Sequence, residues 1–243
     1  MEKIVSYFLS SIFYLLYGIF LLIFHVLQWL GYNIGKYRGH KMAVDLMNGS
    51  LTLLLYILGT RIKFINKYTI PENVPLIIVS NHQGMNDIPP VSWFMRKYHP
   101  KFVSKVELGK GIPSVSYNLT HGGSVLIDRN DSRQALAALK EFGQYIEKNN
   151  YSAVIFPEGT RSKDGVPKRF SENGLKMLTK FAPSAYVIPM SINNCWKLNK
   201  YGKFPLGLGV KISFELHEPI KADSLEFVKL FEKVENTIKN NVI

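Results

Sequence analysis

The chain has 243 residues, 30 Lys plus Arg against 18 Asp plus Glu, a formal net charge of +12 and a single cysteine, Cys195. One cysteine excludes a disulfide framework and a cysteine-based metal site, and it fits a reducing compartment. The positive excess comes without zinc-finger spacing, a basic heptad helix or an aromatic ribonucleoprotein signature, so it argues against nucleic acid and for anionic membrane lipid as the partner.

The first element is an apolar run, "IVSYFLSSIFYLLYGIFLLIFHVLQWLGY", from Ile4 to Tyr32, with no Asp, Glu, Lys or Arg. As a helix it reaches roughly 43 Å at about 1.5 Å per residue, more than the hydrocarbon core of a bilayer. It is too long for a secretory signal and lacks a small-residue cleavage site, so it is expected to be retained and to contact a membrane. A second apolar segment, Met42 to Gly59, is interrupted by Asp45, Asn48 and Gly49 and makes a poor span. Between the two lies "GKYRGHK", with Lys36, Arg38 and Lys41. If both segments crossed a bilayer, this basic linker would face away from a cytoplasmic core domain, against the positive-inside tendency. Two helices half-immersed in one leaflet remove the conflict. The expected partition is therefore residues 1–60 as a two-helix membrane anchor and 61–243 as one core domain, monotopic, on the cytoplasmic face.

Beyond Arg61 short apolar runs alternate with amphipathic segments, an α/β pattern. Strands are predicted at "LIIVS", "KFVS", "SVLID", "SAVIFP", "AYVIPMSI" and "VKISFEL". Helices are predicted over 131–148, 171–181 and 223–239, begun by Asp131, by Ser171 and by an Asp223/Glu226 capping box. Cys195 follows a strand without a nearby activating histidine and reads as an inert, partly buried thiol.

The stretch "VSNHQGMND" places His82 and Asp87 between a strand and the Pro89–Pro90 pair, which suits only the first turn of a helix. A neutral histidine acts as a general base when a carboxylate on one ring nitrogen fixes the tautomer and leaves the other free. Asp87, returned by the "QGMN" turn, is placed to do this, although turn capping explains the same residues and both readings stay open on these residues alone. No third or fourth ligand has metal-site spacing. In "GGSVLIDRN" and "VIFPEGTRS", Arg129 and the set Glu158, Gly159, Thr160 and Arg161 stand at strand ends, with Lys105 after a third strand. Turns, helix caps and surface ion pairs account for each separately, whereas together they form an anion pocket suited to phosphate.

In order and approximate spacing, "NHQGMND", "GGSVLIDR", "FPEGTRS" and "VIPMSI" resemble the four motif blocks of the glycerolipid acyltransferases, in particular the bacterial 1-acyl-sn-glycerol-3-phosphate acyltransferases. The resemblance covers roughly Ile62 to Asn193. It implies a central mixed sheet flanked by helices, behind a two-helix membrane-anchoring segment. It matches His82 and Asp87 to the catalytic pair, Arg129 to the arginine of the second block, and Glu158, Gly159 and Arg161 to the acceptor-binding third block, where Thr160 lies among them. Lys105 fits a less strictly patterned phosphate-contacting lysine. Met190 departs from the smaller aliphatic residue common there, which touches packing or acyl fit more than chemistry. The implied reaction is transfer of an acyl chain from acyl-CoA or acyl carrier protein to the sn-2 hydroxyl of lysophosphatidic acid, giving phosphatidic acid, with no metal or cofactor. The same chemistry on glycerol 3-phosphate, another lysophospholipid or a lyso-aminolipid is an alternative. A non-catalytic lipid-binding protein of the same fold is another, and it would predict a damaged His/Asp pair.

Overall fold

The structure is a computed structural model, and it describes residues 2–243. An eight-stranded mixed sheet forms its centre. The strands are β1 (Arg61–Asn66), β2 (Leu76–Ser80), β3 (Pro100–Lys105), β4 (Val125–Ile127), β5 (Ser152–Ile155), β6 (Tyr186–Asn193), β7 (Lys211–Leu216) and β8 (Ile220–Lys221). They lie in the order β1-β7-β6-β2-β5-β3-β4, with β8 paired to β6. The β2–β5, β2–β6, β3–β5, β3–β4 and β1–β7 pairs are parallel; β6 runs antiparallel to β7 and β8. Every predicted strand is present. β1 was not foreseen, although Arg61 and Lys63 alternate with Ile62 and Phe64 as a half-exposed edge strand allows.

β2 is apolar up to its last residue, Ser80, and buried on both faces, as a central parallel strand requires. Leu76 and Ile78 face one core and Ile77 and Val79 the other, following the two-residue period. The second core is closed by α4 (Ser132–Asn149), α5 (Glu172–Phe181) and α6 (Phe227–Asn240) through Phe142, Ile146, Leu175, Leu178, Leu230, Val234 and Ile238.

Two of the predicted caps differ. Asp131 does cap α4, its carboxylate accepting from the amides of Arg133 (3.0 Å) and Gln134 (2.9 Å). Ser171 occupies the cap position of α5 without a side-chain bond. The Asp223/Glu226 box does not form: α6 starts only after Glu226, and Asp223 lies in the preceding turn, paired with Lys221 at 2.9 Å.

The first core is closed largely by α1 (Glu2–Leu54), with α2 (Ile88–Phe94) and α3 (Val115–His121) beside it. α1 is two limbs joined by a kink at Lys36, where φ is 49°. This is the basic linker of the sequence. The limbs fold back so closely that a Cβ at Gly39 would lie 2.3 Å from the Gly31 carbonyl oxygen, so only glycine admits the approach. Residues 1–60 supply Phe13, Leu21, Phe24, Met47, Leu51 and Leu54 to the same core as β2, β6 and β7. The second limb is well covered, with His40, Asn48 and Thr52 buried. The first limb has two faces. Ser6, Ser10, Phe13, Leu21, Phe24 and Gln28 are buried, whereas Ile4, Phe8, Leu15, Leu22, Val26 and Trp29 stand exposed. Both stripes follow helical spacing, so one face is docked along the limb and the other is an unpartnered apolar strip. Glu2–Leu58 is, among the described residues, the one helical stretch long and apolar enough to cross a membrane.

Candidate active site

His82 and Asp87 come together as expected. β2 ends in buried Ser80, followed by buried Asn81; the chain turns through Gly84, and a short 3-10 turn, Met85–Asp87, leads into α2 with Pro89 and Pro90 in its first turn. Asn81 fixes the start of the turn: its side-chain amide donates to the Ile192 carbonyl and its oxygen accepts from the Ile192 amide, each at 2.8 Å, which pins the end of β2 to β6. Asp87 is fully buried. Its Oδ2 accepts from the amides of Gln83 (2.7 Å) and Gly84 (2.9 Å) and lies 2.8 Å from His82 Nδ1. An anion held by two amides needs a proton on Nδ1, which leaves Nε2 as the free base. The imidazole stacks on Phe156, ring centres 4.2 Å apart, and its side chain keeps 14% of its surface exposed. It is oriented on one side and open on the other.

Asp87 Oδ1 has no hydrogen-bond partner among the described residues. Cys195 is buried beside this carboxylate, and burial first, then Asp87, pushes its thiol well above the usual range. The thiol is more deeply buried than the sequence implied.

The loop after β5 grips the histidine backbone from both directions. Glu158 Oε1 accepts from the His82 amide at 2.8 Å, and the Ser162 amide donates to the His82 carbonyl at 2.7 Å. Glu158 Oε2 accepts from the Lys168 amide at 2.9 Å, while Lys168 Nζ donates to Thr160 Oγ1 (2.8 Å) and to the Arg161 carbonyl (3.0 Å). Burial holds the Glu158 carboxyl above the usual carboxylate range, against the pull of these amides. Both Glu158 oxygens and the Thr160 hydroxyl are thus engaged within the protein, shaping the loop. Gly159 sits at φ 68°, a left-handed conformation that a side chain would strain.

Arg129, after β4, donates to the Gly159 carbonyl and joins the second motif block to the third. Arg161 is exposed and makes no side-chain hydrogen bond or ion pair among the described residues. Lys105 is exposed at the end of β3, in register with Ile127 on β4, so it leaves the sheet at the same end as Arg129. All eight predicted residues therefore stand at or beyond the C-terminal ends of parallel strands, where open α/β sheets bind ligands. Asn81, Ser162 and Lys168 were missed; for Asn81 the signal was a polar residue closing an apolar strand directly before the histidine.

Glu158→Ala leaves the His82 amide without an acceptor and is expected to cost about 1–3 kcal/mol of stability. Thermal unfolding should show a lowered Tm, with turnover falling alongside it. An unchanged Tm with lost turnover would assign Glu158 to the substrate and not to the loop.

A family model described as "Acyltransferase" matches residues 61–193. A 1-acyl-sn-glycerol-3-phosphate acyltransferase of Helicobacter pylori is 34% identical over 133 residues, 51% of this chain and 54% of that protein. One from Cocos nucifera is 28% identical over 184 residues, 75% of this chain and 57% of that protein. The chain spans little more than half the length of these curated relatives. The crystal structure of the 1-acyl-sn-glycerophosphate (LPA) acyltransferase, PlsC, from Thermotoga maritima superposes with a TM-score of 0.78 at 23% identity, covering 99% of this chain and 95% of that one, which establishes the shared fold. With its matched region reaching from β1 to the end of β6, and the His82/Asp87 turn and the Glu158 loop inside it, the chain belongs to the acyltransferase family.

Proposed function

We propose that this protein esterifies the sn-2 hydroxyl of 1-acyl-sn-glycerol 3-phosphate from acyl-CoA or acyl carrier protein, giving phosphatidic acid for phospholipid synthesis. The observation that carries this reading is His82 held by Asp87 Oδ2 at 2.8 Å with Nε2 left free. His82 Nε2 takes the hydroxyl proton, and the oxygen attacks the thioester carbonyl as the imidazolium forms against Asp87. The tetrahedral intermediate collapses with loss of the thiolate, which recovers the proton from His82. No acyl-enzyme is required, and Cys195, sealed beside Asp87, is in no position to form one. Arg161, which makes no side-chain hydrogen bond or ion pair among the described residues, and Lys105 at the same sheet end bind the acceptor phosphate, while Arg129 holds the Gly159 carbonyl and so sets the loop that carries Arg161.

The acceptor reading is tested by chromatographic assay of the purified protein with oleoyl-CoA and with acyl carrier protein donors. Lysophosphatidic acid should outrun glycerol 3-phosphate, other lysophospholipids and lyso-aminolipids. Preference for another acceptor would move the assignment within the family.

The protein is read as monotopic, because the first limb of α1 is tied to the core along its length. Ser6 bonds to the Leu206 carbonyl, Ser10 accepts from the Leu206 amide at 2.8 Å, Tyr14 donates to the Lys203 carbonyl at 2.8 Å, and Leu21 accepts from Ser114 at 2.6 Å. A helix crossing a bilayer would have to break these bonds or carry the domain with it, whereas an in-plane limb keeps them and buries its exposed strip in one leaflet. Single substitutions Arg38→Cys and Lys148→Cys, in a Cys195→Ser background, should share accessibility to an impermeant thiol reagent in sealed vesicles. Opposite accessibility would establish a span.

A further inference from the structure

At the other end of the sheet from His82, where β3 begins, a small, partly open cavity of about 20 Å³ adjoins a wider cleft of about 340 Å³ beside the kink of α1. The two share Lys41, Asp45 and His99; Lys101 and His40 line the inner space and Arg96 the outer. Lys101 is only 7% exposed and makes no hydrogen bond or ion pair among the described residues. Its ammonium lies 4.8 Å from the Tyr37 ring centre and 5.4 Å from that of Tyr151. Asp45, the one carboxylate lining either space, is already bound by Lys41. Burial brings Lys101 down to about 8, leaving it largely charged at neutral pH. Beside it His40, 1% exposed, has a buried Nε2 without a partner among the described residues. Burial lowers His99 to about 4, so its ring is neutral and adds no charge.

A buried ammonium without an anion is costly, and a ring nitrogen without a partner adds to that cost. Burial lowers His40 to about 4, so its ring is neutral; in the Nε2–H tautomer both groups lack an acceptor, and an anion with several oxygens supplies one to each. We propose that this cleft binds the phosphate headgroup of an anionic glycerolipid, its oxygens directed at Lys101 and His40 and reached at the mouth by Arg96. The outer wall argues for a lipid over free phosphate: Met42 and Leu46, 64% and 51% exposed, line the cleft, and exposed Ile34 stands beside the kink. Arg96 is preset there, stacked 4.0 Å over the Trp93 ring and donating to the Trp93 carbonyl at 2.8 Å. The site is separate from the acceptor pocket, which lies at the opposite strand ends.

The test is calorimetric titration of the full chain in detergent micelles with short-chain phosphatidylglycerol, inorganic phosphate and short-chain diacylglycerol. Phosphatidylglycerol should bind saturably and more tightly than either of the others. Lys101→Met and Arg96→Gln should each weaken it by about 10- to 100-fold, the scale of a lost charge-assisted contact, while Arg161→Ala leaves it unchanged. Should the buried substitution fail to fold, the exposed Arg96→Gln decides. Unchanged affinity in folded Lys101→Met and Arg96→Gln would overturn the site. Equal affinity for inorganic phosphate or for diacylglycerol would overturn the lipid headgroup as ligand, and loss of binding in Arg161→Ala would place the lipid in the acceptor pocket. The readout is binding alone, so its failure is distinct from failure of the acyltransferase reading.

Discussion

Replacing His82 with Ala is expected to lower kcat by ~10² to 10⁴, the usual contribution of a positioned general base, with the fold intact. Asp87→Asn should be milder. In the sequence alone, exchange of this carboxylate reads as loss of the correct tautomer and severe impairment. The geometry argues otherwise, because one oxygen of Asp87 accepts from His82 Nδ1 and from the amides of Gln83 and Gly84 together. To keep both amide bonds, the Asn oxygen must take that same position, so the ring N–H keeps its acceptor and Nε2 stays free. What disappears is the negative charge facing the imidazolium. Exchanging a charge-assisted bond for a neutral one, a difference of about 1–1.5 kcal/mol, should cost roughly 5- to 15-fold in kcat. The new NH₂ would also fall at the buried Oδ1 position beside Cys195, lowering Tm. Steady-state kinetics and thermal unfolding of the two purified variants check both statements. Equal inactivity would restore the tautomer explanation, and normal turnover by either would remove the pair from the mechanism.

Arg161→Ala is expected to lower kcat/KM for lysophosphatidate by about 10- to 150-fold, the range for lost charge-assisted hydrogen bonds of roughly 1.5–3 kcal/mol. Since Arg161 has no side-chain partner among the described residues, Tm should not change. A neutral acceptor such as monoacylglycerol, used poorly by the parent, should be used no worse by the variant. Arg129→Ala should behave differently. Its guanidinium holds the Gly159 carbonyl, so its removal loosens the Glu158 loop that grips His82. Both acceptors should then lose rate, and Tm should fall. Identical profiles for the two arginines would contradict this division of roles.

The central pair was legible because the signal was local: an apolar strand, a short turn and a Pro pair bring His82 and Asp87 together within six residues. The α/β alternation was equally plain, since buried strands and helical stripes carry their own periods. What escaped depended on distant partners. Glu158 sits in a motif that suggests ligand binding, yet its oxygens go to amides at His82 and Lys168, 76 and 10 residues away in sequence. α3 has only Leu119 buried and leaves no stripe to read. α1 read as two apolar segments and a basic linker, which its kink at Lys36 matches, but the docked face of the first limb rests on Ser6, Ser10 and Tyr14 finding partners near Leu206. Composition cannot announce such a pairing. The Asp223/Glu226 box did not form either: α6 starts after Glu226, and Asp223 lies in the turn before it, beside Lys221.

Acyl transfer to a lipid hydroxyl with His82 as base is tested most directly by product analysis with a labelled acyl donor. Purified protein incubated with lysophosphatidate and labelled oleoyl-CoA or oleoyl-acyl carrier protein should yield labelled phosphatidic acid carrying the label at sn-2. His82→Ala under the same conditions should yield almost none, and no label should remain on the protein when acceptor is withheld. Absence of product with both donors, product formed equally by His82→Ala, or a stable labelled acyl-protein would contradict it.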